Sequence, residues 1–93
     1  MQITEVRVRL RAQGNFLGYA DITLDNRLAV HNLRIIKGAK GLFVAMPSIK
    51  RGERQFEDIV HPTDQPTREW ITDTVLKSYK EQAASAPYER YNR

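Results

Sequence analysis

From Ile3 to Arg11 the chain alternates: Val6, Val8 and Leu10 fall on one parity, and Glu5, Arg7, Arg9 and Arg11 on the other. A period of two with β-branched residues predicts a half-buried strand. Gln13-Gly14-Asn15 predicts a turn. In a second strand, Phe16, Gly18, Ala20, Ile22 and Leu24 then alternate with Leu17, Tyr19, Asp21 and Thr23, ending at Asp25-Asn26. A third run, Leu28 to Ile36, changes phase: Leu28 and Val30 share one parity and Leu33 and Ile35 the other. A bulge at His31-Asn32 restores a single apolar face, because one inserted residue flips every side chain beyond it. After Gly38-Ala39-Lys40-Gly41, the run Leu42 to Met46 is apolar on both parities. It reads as a strand covered on two sides, placed centrally or at a subunit contact, and Pro47 ends it.

Ile49 to Gln55 carries four charges and one glycine and reads as a loop or hairpin tip, with Phe56 to Val60 a short returning strand closed by His61-Pro62. From about Asp64 or Thr67 the period becomes helical. Trp70, Ile71, Thr74, Val75, Ser78 and Tyr79 form one stripe, with Arg68, Asp73, Lys77 and Lys80 largely off it. Pro66 suits a first helical turn, and Asp64 or Thr67 a cap. The expected fold is α+β, an antiparallel sheet of four to five strands with a C-terminal helix packed on it. Residues 1–82 are expected to form a single domain, and residues 83–93, beginning at Ala83-Ala84, a flexible tail. One helix covers only part of such a sheet, so a homodimer built by sheet extension or helix exchange is expected to cover the remaining apolar area and strand edge.

Composition narrows the classes. Charged residues make up 28% of the 93 and the hydrophobic group 41%, which fits an ordinary globular domain rather than a disordered chain. The longest uncharged runs, Ala12 to Ala20 and Gly41 to Ile49, fall far short of the roughly 20 apolar residues of a membrane helix. No basic-then-apolar leader precedes the first strand, so no signal peptide is expected. The absence of cysteine removes disulfides, thiolate metal sites and a cysteine nucleophile, and suits the cytoplasm. The net charge of +4 is unevenly spread. Arg34, Lys37, Lys40, Lys50, Arg51 and Arg54 stand against Glu53 alone, a block of +5.

Little in the chain suits catalysis. It has two histidines: His31 sits at the expected bulge, and His61 lies between Asp58 and Asp64. Asp58, His61 and Asp64 resemble a metal set by donor type, but each has a simpler structural reading as strand end, turn residue and helix cap. Gly38-Ala39-Lys40-Gly41 lacks the spacing of a phosphate-binding loop. No enzyme activity, cofactor or small-molecule substrate is expected. Binding fits better. Lys50, Arg51 and Arg54 lie on the expected loop beside Gly52, where long cationic side chains reach phosphates. Arg7, Arg9 and Arg11 line one strand face, and Lys40 projects from the glycine turn.

Met1 to Arg9, Ile22-Thr23-Leu24-Asp25 and Val30 to Ile36, and most closely Gly41-Leu42-Phe43-Val44-Ala45-Met46-Pro47-Ser48 followed by Phe56-Glu57-Asp58-Ile59-Val60-His61-Pro62, are similar to the stage V sporulation protein G (SpoVG) family of septation regulators. The resemblance covers about residues 1–80. It implies a cytoplasmic homodimer that binds DNA, in some members RNA, as a site-preferring regulator of gene expression linked to sporulation and cell division. It also implies nucleic-acid contact through the basic segment between the Met-Pro-Ser and Phe-x-Asp-Ile elements, and it places Arg68 at a commonly basic position. In this chain Ile49 displaces the Lys50-Arg51 pair by one position, and Gly52-Glu53-Arg54-Gln55 replaces the family's Thr-Pro-Asp-Gly type of turn. A protein-interaction adaptor that docks partners on its sheet edges is the alternative reading.

Overall fold

The computed structural model describes residues 1–85. In order, they form β1 (Ile3–Gln13), β2 (Phe16–Leu24), β3 (Leu28–Gly38), β4 (Gly41–Ala45), β5 (Ser48–Lys50), β6 (Phe56–Asp58) and α1 (Gln65–Ser85). The first four strands make an antiparallel meander in spatial order β1-β2-β3-β4. Short turns produce it. Gly14, at φ 63°, reverses the chain between Gln13 and its partner Phe16. Asp25 and Asn26 both take left-handed φ, 52° and 54°, and the Arg27 N–H donates to the Leu24 carbonyl at 2.8 Å. Positive φ at both central positions gives the mirror-image turn that matches strand twist, and Asp and Asn tolerate it best among residues with side chains.

The expected bulge in β3 is present. Ala20 faces Leu33 but Ile22 faces Val30, so three β3 steps oppose two on β2, and Asn32 stands at φ 68°. That extra residue brings Val30 and Leu33 onto the same apolar side. A second irregularity was not legible in the alternation. Phe16 faces Ile36 while Gly18 faces Ile35, so the β2 phase shifts at Leu17. Leu17 packs against the core, and Phe16 turns to the other face, its ring 4.9 Å from that of Tyr19. The expectation that Phe16 shares a face with Gly18 is therefore corrected.

The core consists of Val8, Ala20, Ile22, Leu33, Ile35, Val44, Met46, Ile71 and Val75, on one face of the sheet and the facing side of the helix. The Asp64 carboxylate caps α1, accepting from the Thr67 N–H at 2.7 Å, and Pro66 occupies the first turn. Ile71 and Val75 are the buried helix positions, with Trp70, Leu76 and Tyr79 packed beside them. The helix contacts both outer strands, β1 and β4. Near its end, the Gln82 amide donates to the Val8 carbonyl at 2.9 Å. The helix continues through Ser85, past the expected tail boundary at residue 83; Tyr88 to Arg93 lie outside the described residues.

β4 lies at the sheet edge, so of the two placements expected from its two apolar parities, central or at a subunit contact, the central one is corrected. Val44 is buried under the helix layer, whereas Phe43 points the other way and is 45% exposed. The returning strand is also shorter than Phe56 to Val60. β6 ends at Asp58 and pairs with β5 in a ribbon separate from the main sheet, leaving Ile59 and Val60 exposed.

Two carboxylates tie stability to pH. Burial pushes Asp21 up, but the Asn32 N–H, the Arg9 guanidinium and His31 outweigh it and hold the group below its ordinary range. The Thr67 hydroxyl and N–H lower Asp64. A folded pKa below the unfolded one gives stability that is complete above the unfolded value, about pH 4, and lost as pH falls through the folded value. The melting temperature is therefore expected to fall on acidification below about pH 4. In Asp64→Asn, which keeps a capping oxygen that cannot titrate, the fall should be shallower; an equally steep fall would remove the cap from this account.

Candidate nucleic-acid interface

The β5–β6 ribbon carries Lys50, Arg51 and Arg54 of the cations singled out above. β5 places Lys50 at its end, Arg51 and Arg54 lie in the connecting segment, and all three are exposed. The Arg51 N–H donates to the Gln55 carbonyl at 2.8 Å and closes the tip. The Ile59 N–H donates to the Pro47 carbonyl at 2.8 Å and closes the base. A bond from the Arg34 guanidinium to the Ser48 hydroxyl, 3.2 Å, ties the ribbon to the sheet.

Folding changes the charge count. Pairing sets Glu57 opposite Ile49 and Asp58 opposite Ser48, so acids that follow the basic block in sequence return to its stem. Lys50, Arg51 and Arg54 against Glu53 leave +2 at the tip, while Glu57 and Asp58 put −2 on the stem. Arg51 is the one tip cation with an ion-pair partner among the described residues: its Nε lies 2.6 Å from Glu57 Oε1, with both side chains 60% exposed. An exposed pair of this kind is worth about 0–1 kcal/mol, so a phosphate can displace the carboxylate. In Glu57→Gln the arginine loses its ion-pair partner and one of the two negative charges on the stem is removed. Low-salt affinity for nucleic acid is expected to rise about two- to fivefold, an amount consistent with that weak pair; a fall would mean that Glu57 orders the tip.

Lys40 and Arg68 lie elsewhere. Lys40 is exposed in the turn before β4, at the opposite end of that strand from the ribbon. Arg68 is half-buried in the first turns of α1, on the layer covering the core face. The fold therefore gathers Lys50, Arg51 and Arg54, and it does not bring Lys40 or Arg68 onto the same ribbon.

A second cationic surface lies on the sheet face away from the helix. Arg9 donates to Asp21 at 3.0 Å and to the Asn32 side-chain oxygen at 2.9 Å, and its guanidinium carbon stands 5.1 Å from the Tyr19 ring centre. Arg7 donates to Glu5 at 2.7 Å. The alternation of β1 signalled the arginines, but not the aromatic pair beside them, because the shift at Leu17 creates it.

The remaining chemistry resolves into local roles. Asp64 is the helix cap, His61 Nδ1 lies 3.0 Å from the Pro62 carbonyl, and Asp58 ends β6. Among the described residues no three His, Asp or Glu side chains are grouped as metal ligands. His31 is exposed, with Nδ1 3.4 Å from Asp21. No helix among these residues is long and apolar enough to cross a membrane.

The family model described as SpoVG matches residues 1–81. A relative from Lachnoclostridium phytofermentans, bearing the name "Putative septation protein SpoVG", is 46% identical over 81 residues, covering 86% of this chain and 87% of its own. Relatives of the same name are 45% identical in Bdellovibrio bacteriovorus (91% of this chain, 79% of the relative) and 44% identical in Thermoanaerobacter pseudethanolicus (91% and 97%).

Proposed function

The chain belongs to the SpoVG family of septation proteins, and from that premise we propose that it is a dimeric DNA- and RNA-binding regulator of gene expression, acting by binding rather than catalysis in the cytoplasm. The observation that carries this reading is the ribbon tip, where Lys50, Arg51 and Arg54 stand exposed on a two-stranded arm distinct from the sheet. Such an arm offers flexible cations to phosphates at little cost to the core.

What the monomer leaves uncovered supports the dimer. β4 is an edge strand, and Phe43 within it and Phe56, Ile59 and Val60 on and after β6 are 45, 64, 56 and 43% exposed. Pairing two copies along β4 would satisfy the edge and cover part of this apolar area. It would also couple two ribbons. Each phosphate neutralised contributes about −0.9 to the slope of log affinity against log salt, so three contacts give about −2.7 and six about −5.4.

Fluorescence anisotropy with labelled DNA and RNA over 50–200 mM salt, roughly the range in which such contacts are resolved, tests the reading together with sedimentation equilibrium. A dimer with the steeper slope is the expected result. A monomer with no retention of either nucleic acid at the lowest salt would overturn it. The same exposed apolar residues favour the adaptor reading, which predicts a protein partner recovered after nuclease treatment and no nucleic-acid binding.

A further inference from the structure

We infer that the sheet face opposite the helix is a platform for unpaired bases, so that the protein holds single-stranded nucleic acid there in addition to any phosphate contact at the ribbon. This inference rests on the nucleic-acid reading above and adds a second surface and a strand preference to it.

Two grooves run across this face and share Tyr19 and Arg34. One, of about 460 Å³, is lined by Phe16, Tyr19, Ile36, Arg34, Gln13 and Asn15. The other, of about 520 Å³, continues from Tyr19 and Arg34 past His31 and Asn32 to the ribbon residues Ile49 and Phe56. The first groove is lined by two aromatic rings and an isoleucine together with two amides and a guanidinium. That is the complement of a nucleobase, whose faces are apolar and polarisable and whose edge presents donors and acceptors. In a duplex those base faces are stacked on neighbours and unavailable, so this surface favours a single strand.

Charge agrees with the shape. Arg7, Arg9, Arg11 and Arg34 lie on or beside the face, against Glu5 and Asp21. Glu5 and Asp21 are already engaged by Arg7 and Arg9. Arg9 lies over Tyr19 and is held by the Asp21 and Asn32 side-chain oxygens, so its planar guanidinium is oriented to stack while its charge is matched by Asp21. The path to the ribbon lets one strand engage both surfaces.

The test compares a labelled oligothymidylate single strand with a duplex, using the wild type and three variants. Tyr19→Ala is expected to weaken single-strand binding about tenfold, as for the loss of one stacked base, and to leave duplex binding unchanged. Tyr19→Phe keeps the ring and should bind as the wild type does. Lys50→Ala with Arg51→Ala should weaken both ligands. If Tyr19→Ala binds the single strand normally while the ribbon variant does not, the platform is overturned and the proposed function stands. If the wild type binds neither ligand, the function reading fails and takes the platform with it. Should Tyr19→Ala not fold, photocrosslinking of wild type to a bromodeoxyuridine oligonucleotide decides instead. Adducts on the tryptic peptide of residues 12–27, which holds Phe16 and Tyr19, support the platform, and adducts confined to the ribbon overturn it. A Tyr19→Ala protein that sediments as a monomer when the wild type is a dimer would assign the face to a second copy and also overturn it.

Discussion

Lys50→Ala, Arg51→Ala and Arg54→Ala combined are expected to weaken nucleic-acid binding by roughly a hundredfold per engaged ribbon near 0.15 M salt, and to flatten the salt slope by about 3 per protomer. The argument is counterion release. Each phosphate neutralised frees condensed cations, and three lost contacts remove that driving force without touching the core, since all three side chains are exposed. The loss should be nearly uniform across sequences, because phosphate contacts position the ligand without reading bases. Lys77→Ala with Lys80→Ala supplies the control: both are exposed helix lysines, away from the ribbon. An equal loss in that control would mean that net charge matters and the ribbon does not.

Gly18→Ala is expected to destabilise the fold by about 1–3 kcal/mol through overpacking, a fall of roughly 5–20 °C in melting temperature for a domain of this size. A Cβ at position 18 would lie 2.6 Å from the Arg9 carbonyl oxygen and 3.4 Å from the Leu10 Cα. Both atoms belong to the backbone of β1, paired there with β2, and cannot rotate away as a side-chain tip would. Gly52→Ala is the contrast. Its nearest neighbour is the Gln55 side-chain oxygen at 3.9 Å and its φ lies outside the left-handed region, so thermal unfolding should barely move. Equal melting curves for the wild type and Gly18→Ala would show that β1 and β2 separate more freely than their register implies.

Much of the fold was legible because its causes are local. The parity change between Val30 and Leu33 located the β3 bulge, since burying one face demands a single phase. Asp64, Pro66 and the Trp70-to-Tyr79 stripe marked the helix because a cap, a first-turn proline and a 3.6-residue period each act within a few residues. The shift at Leu17 was not legible. Phe16 and Leu17 are both apolar, so either phase buries one of them, and only pairing with β3 selects Leu17 for the core. The candidate site divides the same way. Lys50, Arg51 and Arg54 are neighbours in sequence and remain so in space, whereas Lys40 was grouped with them by charge and Arg68 by the family resemblance.

By itself, the sequence determined the α+β class, the antiparallel strands and their turns, the capped C-terminal helix and the place of the basic arm, because periodicity, turn residues and caps act over short distances. Only the tertiary structure decided that β4 stands at an edge, that Glu57 and Asp58 fold back onto the stem of the cationic tip, and that Phe16 and Tyr19 meet under Arg9. Each of these depends on which strands pair and in what register, a choice made by burial across residues distant in the chain.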